Sequence, residues 1–222
     1  MTKKLNELIK CDFDLEIFGI ATNSQEVMPG YLFVCIKGAK DNTDRHEFIP
    51  QAIENGAAAV VGTRTDISCS VPYILVEDIQ AALHEICTKF YDDPLSKLKI
   101  IAITGTDGKT STAWICSKLI GQDRCAYIGT NGVFYAGKKE NSLNTSPAYE
   151  YFMHYAKRIV DAGCKYLCME ASSEAQLFGR FDFIDFHTTA YTNITREHLN
   201  NHGSLENYIA CKMAIIAKAS NF

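Results

Sequence analysis

The chain has 222 residues, 47% of them hydrophobic and 22% charged; that apolar fraction excludes wholesale disorder and leaves two modest domains as the expected organisation. Its 22 basic and 26 acidic side chains give a net charge of −4, which excludes general electrostatic binding of nucleic acid. No apolar run approaches the roughly 18 residues that cross a bilayer, and Lys3 and Lys4 are not followed by the apolar stretch of a secretory signal, so a cytoplasmic protein without membrane partners is expected.

The first half alternates short apolar runs with helical stretches. Residues 31–36 read as a buried strand, 48–56 as a helix ended by Gly56, 57–62 and 73–76 as strands, and 79–91 as a helix. This is an α/β pattern. The polar run Tyr91-Asp-Asp-Pro-Leu-Ser-Lys-Leu98 separates it from the second half. There the rhythm restarts, with a strand over 98–104, a glycine turn, a helix over 110–119 and a strand over 124–129. Residues 131–141 read as a turn or hairpin, and 147–162 as a long helix starting at Pro147 and closed by Gly163. Strands over 165–170 and 187–192 and a helix over 205–219 complete a mostly parallel, doubly wound pattern, whose ligands gather at the carboxyl ends of the strands. The nine cysteines are an odd number with no C-x-x-C pair, and Cys164 and Cys168 have no histidine at zinc-finger spacing. They read as reduced core residues.

The residues with chemical potential fall at those strand ends. Gly105-Thr-Asp-Gly108-Lys109-Thr110 lies between a strand and a helix, where backbone N–H groups and the helix N-terminus can cradle phosphate. Lys109 would then reach outer phosphates and Thr110 would ligate Mg²⁺. Ile103 stands where a strict P-loop has its first glycine, and the alternative is a plain strand-to-helix turn with a surface lysine. Glu170, in Met169-Glu-Ala-Ser-Ser173, is either a carboxylate for Mg²⁺ or a solvent-facing strand end. His198, in Tyr191-Thr-Asn-Ile-Thr-Arg-Glu-His198, is a candidate ligand of a second metal, a hydrogen-bond partner of the reaction centre, or merely a satisfied polar residue, and Asn193 is placed to meet a nucleotide. His202-Gly203 reads as a turn. Lys212 has Tyr208 and Ile215 on its helical face; it is either a solvated lysine or a buried amine able to take up CO₂ as a carbamate.

Together these segments resemble the Mur ligases, ATP-dependent enzymes that build the peptide stem of peptidoglycan, and within them the type acting on UDP-N-acetylmuramoyl-L-alanyl-D-glutamate. The resemblance is carried by Ile103-Thr-Gly-Thr-Asp-Gly-Lys-Thr-Ser111, Asn144-Thr-Ser-Pro147, Met169 to Ser173 with Arg180, Thr192 to Leu199 and Tyr208-Ile-Ala-Cys-Lys212. In the first half it is carried by Asn23-Ser-Gln25 before Pro29-Gly-Tyr-Leu-Phe33, by Asp44-Arg-His-Glu-Phe48 and by Gln51 to Ala57, and it runs from about residue 20 to the end. It implies a uridine-binding α/β domain over 1–97 and an incomplete ATP-binding central domain over 98–222. Gly105, Thr106, Asp107, Gly108, Lys109, Thr110 and Ser111, with Asn193, would hold ATP; Thr110, Glu170 and His198 would surround Mg²⁺. Ser24 would touch the uridine nucleotide, and Asn144, Thr145, Ser146, Ser172 and Arg180 the muramoyl-dipeptide. Lys212, carbamylated, would join Lys109, Glu170 and His198 in catalysis. The implied reaction is phosphoryl transfer from ATP to the D-glutamate carboxylate, then attack of an amino acid's amine on the acyl phosphate, driven by positioning and charge neutralisation.

The family pattern is broken at four places: Asp107 replaces an asparagine, Asn23 and Gln25 flank Ser24 in place of aspartate and arginine, Glu174 replaces a histidine, and Phe178 a glutamine. The family also continues past the point where this chain stops, at Phe222, through a third domain that presents the amino acid. The expectation is a truncated product, or a chain that works with a separate one supplying that domain. The alternative is a non-catalytic module that holds the UDP-sugar or a partner; a related folylpolyglutamate- or cyanophycin-type ligase fits less well, given the 144–147 and 169–173 stretches.

Overall fold

Strand-forming runs alternating with helices produce two separate sheets. The computed structural model describes residues 1–38, 43–142, 144–195, 197 and 199–221, and the chain divides into two units, Met1–Asp93 and Pro94–Phe222. The division falls inside the polar 91–98 run, at Asp92 and Asp93, which both adopt left-handed backbone (φ 59° and 45°) ahead of Pro94.

The first unit opens with elements too short to leave a periodic signal: β1 (Lys3–Lys4), α1 (Leu5–Leu8) and β2 (Glu16–Ile17), the two strands pairing antiparallel. Then come β3 (Gly19–Ala21), β4 (Tyr31–Val34), α2 (Ile49–Glu54), β5 (Ala59–Gly62), β6 (Tyr73–Leu75) and α3 (Ile79–Phe90). The strands form a parallel sheet in the order β3-β4-β5-β6. Its central strands are almost wholly buried, as parallel strands covered on both faces must be. The expected 48–56 helix is shorter: a 3₁₀ turn over Arg45–Phe48 leads into α2, whose first turn accommodates Pro50. On α3, Ala82, Leu83, Ile86, Cys87 and Phe90 recur at helical spacing and are buried, and the Asp78 side chain caps the N–H groups of Gln80 and Ala81 at 2.9 and 3.1 Å.

The second unit runs β7 (Lys99–Thr104), α4 (Lys109–Ile120), β8 (Cys125–Gly129), β9 (Gly132–Tyr135), β10 (Lys138–Glu140), α5 (Tyr149–Asp161), β11 (Tyr166–Glu170), α6 (Ser173–Leu177), β12 (Phe186–Tyr191), α7 (Leu199–His202), α8 (Leu205–Ala217) and β13 (Ala219–Asn221). The sheet order is β10-β9-β8-β11-β7-β12-β13. Strands β8, β11, β7, β12 and β13 are parallel, and the 131–141 segment is the β9–β10 hairpin, added antiparallel on one edge. The chain leaves β7 toward β8 and β11 on one side and later reaches β12 and β13 on the other. Such a reversal opens a crevice at the carboxyl end of β7.

Two expected boundaries are corrected. The last helix ends at Ala217, because Ala219 to Asn221 leave it to pair with β12 as β13, a three-residue strand without an apolar run. The 147–162 helix starts at Tyr149, since Ala148 is extended (ψ 160°) and Pro147 lies outside it. Cys35, Cys87, Cys125, Cys164 and Cys168 are buried free thiols. Asp78→Ala is expected to destabilise the first unit by about 1 kcal/mol in denaturant titration, while Asp78→Asn retains most of that stability, because either side chain caps α3.

Candidate active site

The glycine turn is built by backbone conformations that only glycine adopts readily. Gly105 has φ +143° and Gly108, the N-cap of α4, φ +81°. A Cβ at Gly105 would collide with the Thr192 hydroxyl. Gly108 has no side chain to cap α4, which leaves the first N–H groups and the positive end of the helix dipole at the turn available to an anion. Ile103, at the missing-glycine position, is a core residue at 1% exposure. The segment after β12 holds the turn in place. Thr106 N–H donates to Asn193 O (2.8 Å), Asp107 N–H to Asn193 Oδ1 (3.0 Å), and Asn193 Nδ2 and Thr192 Oγ1 both donate to Asp107 O (3.1 and 2.6 Å). Thr106 Oγ1 meets Tyr208 OH on α8 at 3.0 Å and accepts from Thr195 N–H at 2.9 Å. Asn193, expected at a nucleotide, thus braces the loop. The Asp107 side chain is exposed, and its contribution to this lacing is through its backbone.

Two lysines converge on the turn. Lys109 folds back so that Nζ donates to Gly105 O (2.9 Å) and Thr106 O (2.6 Å). Lys212 Nζ donates to the same Gly105 O at 2.5 Å and lies 4.6 Å over the Tyr208 ring. Lys212 is 1% exposed, with Tyr208 and Ile215 buried beside it on the same helix face. Burial and the neighbouring charge of Lys109 push its pKa down to about 8.

Glu170 ends β11 and is 1% exposed. Oε2 accepts from Thr110 Oγ1 (2.7 Å) and Thr130 Oγ1 (3.2 Å); Oε1 accepts from Thr130 N–H (2.8 Å) and from Tyr127 OH. Burial, then the hydrogen bond to this carboxylate, raises the pKa of the Tyr127 phenol. Beside Glu170, Ser146 Oγ donates to Glu170 O (2.8 Å) and accepts from Ser172 N–H (3.1 Å), and Arg180 Nη1 donates to Ser146 O (2.6 Å). Thr145 Oγ1 lies 3.2 Å from Thr130 Oγ1. Two of the unusual residues act on Arg180: its guanidinium sits 6.0 Å over the Phe178 ring, and the Glu174 charge opposes the burial that lowers its pKa.

Lys109, Thr110, Asn144, Thr145, Ser146, Glu170, Ser172, Arg180 and Lys212 all line one cleft of about 290 Å³, together with Thr130, Ser173 and Glu174. Of the other candidates, Ser111 is exposed on α4 and does not line it, and His198 lies outside the described residues. His202 packs on Tyr208 (5.2 Å between ring centroids) and meets Ser173 Oγ at 3.1 Å, as a helix-end residue. The sequence pattern alone does not single out Tyr127, inside the expected 124–129 strand, or Thr130, just past it; the signal available is their place at the carboxyl end of a parallel strand. In the first unit Ser24 is buried, and its hydroxyl donates to Gln51 Oε1 (2.6 Å). His46 is buried between Asp44 Oδ1 (2.5 Å from Nδ1) and the Thr63 N–H (3.1 Å from Nε2), which fixes the tautomer with its proton on Nδ1.

The donor set fits a magnesium nucleotide. Among the described residues no group of three or more His, Cys, Asp or Glu forms a metal cage. Glu170 and the Thr110 hydroxyl bonded to it are oxygen donors of the hard type, as in sites where phosphates complete the Mg²⁺ shell. The lowered pKa of Lys212 has a signed consequence. At and below pH 8 the folded state bears the cost of a buried ammonium. Between about 8 and 10.5 the unfolded chain holds a proton that the folded one has released, so stability rises with pH. Relative to Lys212→Met, wild type is expected to gain on the order of 2–3 kcal/mol across that window in CO₂-free denaturant titrations.

Two family descriptions match this chain: the Mur ligase middle domain over residues 103–221 and the Mur ligase family catalytic domain over 16–91. The UDP-N-acetylmuramoyl-L-alanyl-D-glutamate–2,6-diaminopimelate ligase of Fusobacterium nucleatum is 34% identical over 208 residues, which are 93% of this chain and 42% of that protein. The enzyme of the same name from Caldanaerobacter subterraneus is 35% identical over 223 residues, 99% of this chain and 46% of that one. A solved structure of a ligase of this name superposes with a TM-score of 0.78 at 26% identity, covering 99% of this chain and 46% of its own. The chain thus spans a little under half the length of these relatives. With the middle-domain match covering more than half of its residues and the glycine turn, Glu170 and Lys212 meeting in one cleft, the chain belongs to the Mur ligase family.

Proposed function

We propose that this chain is the nucleotide- and acceptor-binding portion of an ATP-dependent ligase that joins an amino acid to the D-glutamate carboxylate of UDP-N-acetylmuramoyl-L-alanyl-D-glutamate. The observation that carries the reading is the shared cleft: groups suited to phosphate (Lys109, Thr110), a carboxylate suited to a metal ion (Glu170) and cations suited to a carboxylate (Arg180, Lys212) line one space. The relatives' names specify 2,6-diaminopimelate as the added amino acid; the cleft of Lys109 and Arg180 concerns the other two substrates.

In this reading the Gly105–Ser111 turn holds ATP through its N–H groups and Lys109, whose ammonium exchanges two loop carbonyls for phosphate oxygens. Thr110 and Glu170 hold Mg²⁺, with His198 as the remaining member on sequence grounds. When bound, the ion neutralises the phosphate charge that would otherwise repel the attacking carboxylate. Arg180, fixed by Ser146 and Phe178, orients the acceptor together with Asn144, Thr145, Ser146 and Ser172. Lys212, whose lowered pKa makes a neutral amine fraction accessible near pH 8, takes up CO₂ and releases a proton to become a carbamate. Residues 1–97 hold the uridine diphosphate end, with Ser24 in the wall of that site and residues 98–222 binding ATP. A separate chain, or further residues, would present the amino acid.

Calorimetry is expected to show binding of both UDP-muramoyl-dipeptide and Mg²⁺–ATP, with Lys109→Ala weakening the nucleotide about 10- to 100-fold while leaving the muramoyl ligand unaffected. No affinity for the muramoyl ligand would end this reading. Affinity for the muramoyl ligand without affinity for ATP would favour the non-catalytic UDP-sugar-binding module instead. In ¹³C-bicarbonate buffer at pH 8, NMR is expected to show one slow carbamate resonance that Lys212→Arg removes.

A further inference from the structure

Glu170 differs from an ordinary strand-end carboxylate in how unequally its two oxygens are held. Oε1 takes the Thr130 backbone N–H at 2.8 Å and the Tyr127 hydroxyl. A carboxylate oxygen has two lone-pair sites, and here both are filled, one by a backbone N–H and one by the hydroxyl of a ring that packing holds in place. The Thr130 N–H belongs to the turn between β8 and β9. The Tyr127 ring is 1% exposed and packed edge-on against Trp114 (5.1 Å, 88°) and Phe134 (6.0 Å, 61°). Gly129 keeps the path open, since a Cβ there would strike both Glu170 Oε1 and Tyr127 OH. Oε2, in contrast, accepts among the described residues from two hydroxyls, Thr110 Oγ1 at 2.7 Å and Thr130 Oγ1 at 3.2 Å, each of which can rotate its hydrogen away.

We propose that Tyr127 is a positioning residue that pins Oε1 of Glu170, so that the carboxylate offers a divalent cation one oxygen, Oε2, and thereby selects Mg²⁺ over Ca²⁺. The proposal rests on the assignment of Glu170 and Thr110 as holders of the metal of a nucleotide complex. Its chemistry is that Mg²⁺ demands near-octahedral single-oxygen contacts, whereas the larger Ca²⁺ accepts a carboxylate through both oxygens. Without the phenol, Oε1 keeps one donor, the carboxylate can turn to chelate, and the balance moves toward Ca²⁺.

The test is the affinity of the full chain for a non-hydrolysable ATP analogue, titrated calorimetrically with either Mg²⁺ or Ca²⁺. Wild type is expected to bind the Mg²⁺ complex more tightly. Tyr127→Phe is expected to lose about tenfold in Mg²⁺-complex affinity, in the range seen when outer-shell partners of metal ligands are removed, and to lose less for Ca²⁺. A purely structural role for the hydroxyl would lower thermal stability and leave the Mg²⁺-to-Ca²⁺ ratio unchanged. Gly129→Ala keeps the phenol but inserts a methyl where Oε1 and the hydroxyl meet, and is expected to reduce the same ratio; it stands in if Tyr127→Phe does not fold. An unchanged ratio in the folded variants overturns the proposal. Failure of wild type to bind either metal–nucleotide complex would instead overturn the metal-site reading beneath it.

Discussion

Two ammonium groups share one carbonyl oxygen: Lys109 and Lys212 both donate to Gly105 O, at 2.9 and 2.5 Å. Like charges this close, one of them buried, repel each other, and the repulsion contributes to the lowered pKa of Lys212. The arrangement stands because the loop oxygens accept from both groups and because each lysine is anchored elsewhere, one in the first turn of α4 and the other on the buried face of α8. A place that concentrates positive charge beside an uncapped helix N-terminus is suited to a polyanion. The rest of the unit serves that constraint: β7 presents the turn, the segment after β12 laces it, and α8 reaches back 107 residues along the chain to close it.

Much of this is legible in the residues. The parallel, doubly wound order follows from apolar runs of strand length separated by helical stretches, and the glycine turn and Glu170 stand out by residue type at strand ends, whereas Lys212, in mid-helix, is singled out by its apolar neighbours and the family resemblance. What stays hidden is of two kinds. Elements of two or three residues, such as β1, β2 and β13, have no period to detect and are defined only by their pairing partners. Side chains such as Tyr127 and Asn193 have ordinary residue types for where they sit, and their roles depend on hydrogen bonds across 43 and 86 residues of chain. A local pattern cannot encode that.

The departures from the family pattern also gain a physical content. Asp107 directs its side chain outward and takes part in the turn through its N–H and C=O, so the added charge does not sit among the cleft residues. Glu174 and Phe178 both bear on Arg180, one by charge and one by its ring face. Two substitutions that look unrelated in the sequence thus tune a single guanidinium.

The missing Cβ of Gly105 and the hydroxyl of Thr192 occupy the same volume. Neither position is independent: a methyl at 105 demands a smaller partner at 192, and a smaller partner at 192 removes a donor from Asp107 O. The two positions therefore behave as one unit of variation, and a redesign of the turn would have to rebuild both strand ends at once.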